Sequence, residues 1–452
     1  MIGLDKGYLR EVILVLSADR PCIDPVEDLF GHAPFAEHLA RSILSTPNPQ
    51  GMVLALFGKW GSGKTTLLKF ICYFIETHSA DVAEKPIIVE FNPWWFSGRE
   101  DLARAFLTQF QAVMPEEDSN LAKVGELLGE YAESIGTLID LSGFTLGWGH
   151  QIGKVVSNLF KKKPKDVPIM KTEISKLLRR AKRPILVLID DIDRLEDEEV
   201  KQLFTVIKAL ADFPYVTYLL AFDRDMAVRA INNDTKLAGE QYLEKIIQVP
   251  FELPQADGAS LQKMLFQGLD EIFFDTPEES FEKWRWSEIY TYGIAPLISV
   301  PRDVVRMVNT LSVTYPAVKG EVNPIDFISI EAIRVFLPSL YRWVRTHSDI
   351  YTGTEKEENL LPNRVRPDAI EEEEWFKQLC NEGLRSCVEH LLLSLFPKVS
   401  GIGYTPDWLG EWRRDLRICH PDIFPVYFRL SLPAGAISRR EISGLIELAN
   451  QP

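Results

Sequence analysis

Six apolar residues run straight into a glycine-rich turn at MVLALFGKWGSGKTT, Met52–Thr66. No other stretch narrows the fold of this chain so strongly. A continuous apolar run of that length suits a strand covered on both faces, which is the habit of parallel sheets. Gly58, Gly63, Lys64 and Thr65 then fall in the spacing GxxxxGK[ST]. In such a loop the glycines let backbone N–H groups turn inward on phosphate oxygens. The lysine reaches the outer phosphates, and the hydroxyl faces a magnesium ion. A helix read over Thr66–Ile75 completes the strand–loop–helix context. The nucleotide-contacting set is therefore Gly58, Gly61, Ser62, Gly63, Lys64, Thr65 and Thr66.

Four more apolar runs read as buried strands: Pro86–Phe91, Ile185–Ile189, Tyr215–Phe222 and Ile246–Phe251. Helical stretches separate them, so a parallel α/β sheet with crossovers is expected. The run Ile185–Ile189 ends in Asp190 and Asp191, which places two carboxylates at the carboxyl edge of the sheet, where phosphates would lie. Asp190 is the expected magnesium carboxylate, acting through water, and Asp191 the residue that orients an attacking water. A surface acid run is the plainer alternative, and the five apolar residues just before the acids count against it. Arg224 follows the fourth strand at the same edge, and Arg302 opens a helix in PRDVVRMVN. Both are candidates to sense an outer phosphate. The chain has no NKxD motif, which favours ATP over GTP. It has no HRD–DFG pair, which disfavours protein-kinase chemistry.

From about Gln255 the pattern turns helical, so the expected fold class is an α/β P-loop NTPase core with a parallel sheet, followed by an all-helical C-terminal region. A length of 452 residues accommodates two to four domains. A core over 51–254 is followed by a lid-like helical region over 255–351, a polar linker or loop over 352–374, and a helical end over 375–452. EVILVL at 11–16 reads as a short strand. The net charge of −15 disfavours non-specific binding to nucleic acid or anionic membrane. Five cysteines without a CxxC pair point to core thiols and a reducing cytosol, and the N-terminus reads as unprocessed.

The segments FGKWGSGKTT, VEFNPWWF, LVLIDDIDRL, LLAFDRD and SVPRDVVRMVN, in this order, resemble the KAP family of P-loop NTPases. The lead-in PCIDPVEDLFGHAPFAEHLARSI and the end stretch RRDLRICHPDIFPVYFRLSLP are similar to those of its bacterial soluble members, so the likeness covers nearly the whole chain. The resemblance implies a multidomain, slowly switching ATPase with a role in bacterial defence against phage and mobile elements. It implies that Asn92 holds either the attacking water or Asp191. It also implies that residues 1–50 pack near the adenine, with Leu29, Phe30 and Gly31 as its wall. Trp94 and Trp95 are expected to pack under the loop. Arg194 either pairs internally or reaches a neighbouring subunit, and both readings stay open.

Lys64 and Asp190 stand 126 residues apart, which leaves an insertion at about 110–170. Some members of the family carry membrane-spanning helices there. Here Lys123, Glu126, Glu130, Glu133, Asp140 and Lys154 interrupt every apolar run, so no transmembrane segment is expected. What remains is the amphipathic stretch ELLGEYAESIGTLIDL and the glycine-rich SGFTLGWGHQIG. From Lys161 to Arg183 ten Lys or Arg stand against two acids, a patch suited to nucleic acid or a membrane surface, or simply a solvated helix face. Three functions share this cradle. The favoured one is a slow ATP switch acting on a protein partner, in the cytoplasm or peripheral to a membrane. The alternatives are an oligomeric remodeller of nucleic acid or protein, and a scaffold that hydrolyses little. The catalytic set is Lys64, Asn92, Asp191, Arg224 and Arg302. ATP and Mg²⁺ are the expected ligands.

Overall fold

The computed structural model describes residues 18–79, 85–98, 102–139, 166–210, 213–232, 239–353, 382–400 and 407–430, with single positions near the C-terminus. The strand expected at 11–16, the stretch SGFTLGWGHQIG, Lys161–Lys165, Cys380 and nearly all of 352–374 lie outside them. Two compact units divide the chain. One comprises Arg20–Gln255, and the other Met1–Asp19 with Ala256–Pro452.

The first unit is built on five parallel strands: β1 Met52–Phe57, β2 Ile87–Phe91, β3 Ile185–Ile189, β4 Val216–Phe222 and β5 Val249–Glu252. Their spatial order is β2-β3-β4-β1-β5, with β4 paired to β1 on one side and β3 on the other. The helices are α1 Ala33–Ser45, α2 Lys64–His78, α3 Leu102–Ala112, α4 Ser119–Ile139, α5 Asp166–Ala181, α6 Asp197–Leu210, α7 Arg224–Asn232 and α8 Gly239–Glu244. Strand alternation splits the core in two. Val53, Ala55 and Phe57 join the cluster that includes α3, α4, α5 and α6. Leu54 and Leu56 join α1 and α2 on the opposite face. Every residue of β4 is buried. Each large apolar side chain so covered contributes about 1.5–3 kcal/mol, and β4 thereby anchors both halves of the sheet.

Among the boundaries that differ from the sequence expectation, three do so for a clear local reason. Helix α2 begins at Lys64 rather than Thr66, because Gly63 takes φ 105° and turns the chain directly into the helix. Tyr215 has φ 64° and so stands outside β4. Ile246 and Ile247 both bond back to the Leu243 carbonyl, which delays β5 to Val249. Within the insertion, α4 buries Leu121, Val124, Leu128 and Tyr131, a helical repeat, and packs against α3 and α5. Among the described residues no helix is long and apolar enough to cross a membrane.

The second unit is helical: α9 Gly258–Ile272, α10 Lys283–Ile289, α11 Pro301–Thr314, α12 Pro324–Phe336, α13 Pro338–Thr346, α14 Glu382–Leu395, α15 Asp407–Arg414 and α16 Phe424–Arg429. A buried polar knot binds four parts of it. Asp326 on α12 pairs with Arg285 of α10 through one oxygen. The other oxygen accepts from Arg417 Nε and the Ile418 amide, both at 2.9 Å. The Tyr427 hydroxyl on α16 donates to the Leu416 carbonyl at 2.7 Å and accepts the Asn323 amide at 2.9 Å. Cys72, Cys387 and Cys419 are buried, and burial pushes each thiol up to about 12.

Candidate functional site

The loop between β1 and α2 is shaped by glycine. Gly61 and Gly63 have φ of 81° and 105°, a region that costs an ordinary residue dearly. A methyl group on Gly58 would stand 2.8 Å from Ser62 Oγ and 3.2 Å from Leu253 Cβ. A methyl group on Gly63 would stand 3.1 Å from the His32 ring. Ser62 tightens the turn by donating from its hydroxyl to the Lys59 carbonyl at 2.7 Å. These residues form a backbone-lined cradle of the kind a polyphosphate needs.

Lys64 is the first residue of α2, and its side chain is 7% exposed. Its ammonium donates to the Gly58 carbonyl at 2.9 Å, the Lys59 carbonyl at 3.3 Å and Asp193 Oδ2 at 3.0 Å. Next along the helix, the Thr65 hydroxyl donates to Asp190 Oδ2 at 2.6 Å. Burial pushes the Asp190 carboxyl above its ordinary range, against the hydrogen bonds from Thr65 and the Asp191 amide. A hydroxyl and a carboxylate in contact are hard oxygen donors, the type magnesium takes.

Asp191 adopts the left-handed conformation, φ 58° and ψ 29°, where β3 gives way to a single 3-10 turn at Ile192–Arg194. Asp and Asn tolerate that geometry better than other side chains, and it recurs at functional sites. Each carboxylate oxygen of Asp191 has one partner. Asn92, just past β2, donates from Nδ2 to Oδ2 at 2.8 Å. Arg194 approaches Oδ1 from Nε at 2.9 Å. Arg194 thus pairs internally, and its guanidinium also lies 5.0 Å from the centre of the Trp94 ring.

Trp94 and Trp95 correct the sequence expectation, since they are 47% and 72% exposed rather than packed under the loop. Asn92 caps the 3-10 turn Pro93–Phe96 by accepting the Trp94 amide. Three residues per turn send positions 93 and 96 to the same side. Pro93 is buried and Phe96 stacks on Phe91 at 5.7 Å, so the tryptophans between them face out.

Arg224 opens α7 and is held by Glu240, with Nη2–Oε2 at 2.6 Å, while its guanidinium lies 5.5 Å from the Phe57 ring at the end of β1. Arg302, at the second position of α11, belongs to the helical unit and pairs there with Asp19 at 2.9 Å. The lead-in touches the loop helix at two points. The Cys22 amide donates to the Thr66 hydroxyl at 3.2 Å, and buried His32 donates from Nε2 to the Pro254 carbonyl at 3.1 Å with its ring against Gly63. Leu29, Phe30 and Gly31 lie between these anchors, with Leu29 and Gly31 exposed and Gly31 at φ 73°.

Sequence reasoning missed Asp193, His32, Glu199 and Glu240. Asp193 was in view as part of DDIDR, but nothing in spacing links it to a lysine 129 residues away. Glu199 receives the Ser97 hydroxyl at 2.7 Å and the Gly98 amide at 2.8 Å, tying the tryptophan turn to α6. Burial raises its carboxyl, and the donors from Gly98, Ser97 and Glu196 outweigh that and hold it low.

The chain is similar to the phage T7 exclusion protein of Escherichia coli (strain K12), 26% identical over 387 residues. That match covers 80% of this chain and 51% of the relative, so the chain spans about half the length of the curated relative it matches. Among solved structures it is similar to the ORC2 protein of Aeropyrum pernix in ADPNP and ADP complexes. The identity there is 15%, 70% of each chain is covered, and the TM-score is 0.36. It is also similar to domain III of the replication initiation protein DnaA of Thermotoga maritima. In that case the identity is 15%, the cover is 71% of this chain and 99% of the other, and the TM-score is 0.31. The sequence pattern of the KAP family P-loop domain matches residues 32–318, well over half of the chain. With the cradle at Gly58–Thr65 and the acids at the end of β3, the chain belongs to the KAP family of P-loop NTPases.

Proposed function

We propose that this chain binds Mg-ATP at the carboxyl edge of its sheet, hydrolyses it slowly, and passes its nucleotide state to a protein partner. The observation that carries the reading is the state of Asp191, whose two oxygens have one partner each, Asn92 and Arg194. A carboxylate held from both sides by an amide and a guanidinium is fixed in one orientation and must be freed to turn toward a water, which favours slow turnover over rapid cycling. In this reading Lys64 and the loop amides hold the phosphates. Thr65 and Asp190 hold magnesium, which when bound neutralises charge on the outer phosphates. Leu29, Phe30 and Gly31 face the adenine, since both anchors of the lead-in fall on the loop, its helix or Pro254. Arg224 senses the phosphate from the end of β4.

The name of the Escherichia coli relative supports a defence role, with phage exclusion as the outcome in the cell. Two measurements test the proposal. Lys64→Ala should abolish binding of a fluorescent ATP analogue, and unchanged affinity would sink the site assignment. Expression of the chain, with whatever partner co-purifies with it, should lower phage plating, and Lys64→Ala should restore it. Equal plating with both would remove the defence role.

A further inference from the structure

Asp193 lies outside the roles assigned above, yet it is the only carboxylate bonded to Lys64 among the described residues. Its side chain is 7% exposed. One oxygen takes the ammonium, and the other, Oδ1, is buried without a hydrogen-bond partner among the described residues. Lys64 has three protons and three acceptors, so its donor capacity is filled from within the chain. Two of those acceptors are carbonyls of the loop itself. The third is the only charged one, and it sits where the lysine points.

We propose that Asp193 is an internal stand-in for a phosphate, holding Lys64 until nucleotide arrives, so that nucleotide enters by exchanging one anion for another. This rests on the nucleotide-binding reading of the cradle. The incoming phosphate takes the ammonium from Oδ2 and leaves a buried carboxylate with no donor on either oxygen, beside further negative charge. That arrangement is unfavourable, so the turn Ile192–Arg194 must move to bring Asp193 toward a cation or solvent. Arg194 is the next residue on the same turn, and it bonds Asp191 and lies over Trp94. Displacement of Asp193 therefore loosens the clamp on Asp191 and changes the surroundings of an exposed indole. Occupation of the cradle and release of the water-orienting carboxylate become one event. Asp193 acts through Lys64 and Arg194, as a positioning residue.

The test is a titration of the full chain with a fluorescent ADP analogue, in EDTA and in magnesium. Asp193→Asn removes the competing charge and keeps the shape. Its affinity in EDTA should rise about tenfold or more, with a smaller gain in magnesium. Trp94 emission, isolated as the difference between chains with and without Trp94→Phe, should shift on nucleotide binding in the wild type. It should shift less on binding in Asp193→Asn, whose neutral amide has less need to leave when phosphate takes Lys64. Unchanged or weaker binding in EDTA, or an indole that ignores nucleotide in the wild type, overturns the proposal. Asp193→Ser, which keeps an acceptor for Lys64, carries the same expectation if the asparagine variant fails to fold. A wild type that binds no nucleotide, like Lys64→Ala, refutes the nucleotide reading rather than the role of Asp193.

Discussion

Two buried carboxylates, Asp326 in the helical unit and Asp193 at the sheet edge, are built in opposite ways. Asp326 is fully buried, and each of its oxygens meets a guanidinium, with a backbone amide added on one side. Asp193 is almost as buried but meets one ammonium, and its other oxygen has no partner among the described residues. A satisfied buried charge fixes one arrangement, whereas a half-satisfied one is ready to change partners. Burial alone pushes the Asp326 carboxyl up, but Arg285 and Arg417 outweigh it and hold the group below the usual carboxylate range.

The sharpest break in that contrast is Asp326→Ala. It leaves Arg285 and Arg417 facing each other without a counter-charge, and should cost about 3–5 kcal/mol in urea unfolding of the helical unit. A loss below about 1 kcal/mol would mean the knot is no keystone. The same group predicts a pH effect. Its folded pKa is depressed, so its contribution is present above the unfolded value, roughly 3.9, and is lost as pH falls through the folded value. Asp326→Asn should flatten the acid limb of the stability curve below about pH 4.

At the sheet edge the large effect should be kinetic. Asp191→Asn should slow ATP hydrolysis about a hundredfold, roughly 2.7 kcal/mol, while nucleotide affinity stays close to wild type. Retained turnover would take Asp191 out of the chemistry. Gly63→Ala should cost roughly 1–2 kcal/mol through its left-handed backbone alone. The added methyl also meets the His32 ring, so His32→Ala should recover part of the loss in a thermal melt. The smallest change is Arg224→Ala. Its ion pair with Glu240 is nearly half exposed, and stability should fall by no more than about 1 kcal/mol. Any sizeable effect on hydrolysis would then report a phosphate contact rather than folding.

The sheet was legible because its strands are continuous apolar runs, and the loop because Gly58, Gly63, Lys64 and Thr65 carry chemistry at fixed spacing. The order strand, loop, helix brings Thr65 and Asp190 to one edge, but the direct hydrogen bond between them was not read from the sequence. Asp193 was not legible, because its identity as partner of Lys64 depends on how a single 3-10 turn leaves β3. The tryptophans misled for a related reason. Large aromatic residues beside a buried strand suggest core, but a turn of three residues per cycle gave the inner places to Pro93 and Phe96. Arg302 shows another limit, since helix periodicity fixed its place on α11 without revealing Asp19 as its partner.

The position of β4 bears on how the chain is made. Among the described residues β1 pairs with β4 and β5, so Met52 waits for Thr217 before it joins a ladder. Strands β2 and β3 pair with each other first in sequence, and β4 then joins them to β1. Contacts of such sequence separation close slowly. On the ribosome the cradle therefore gains its floor only after more than 200 residues have emerged. Until then the apolar run of β1 has no partner strand, and a nascent chain halted before β4 would expose it to chaperones.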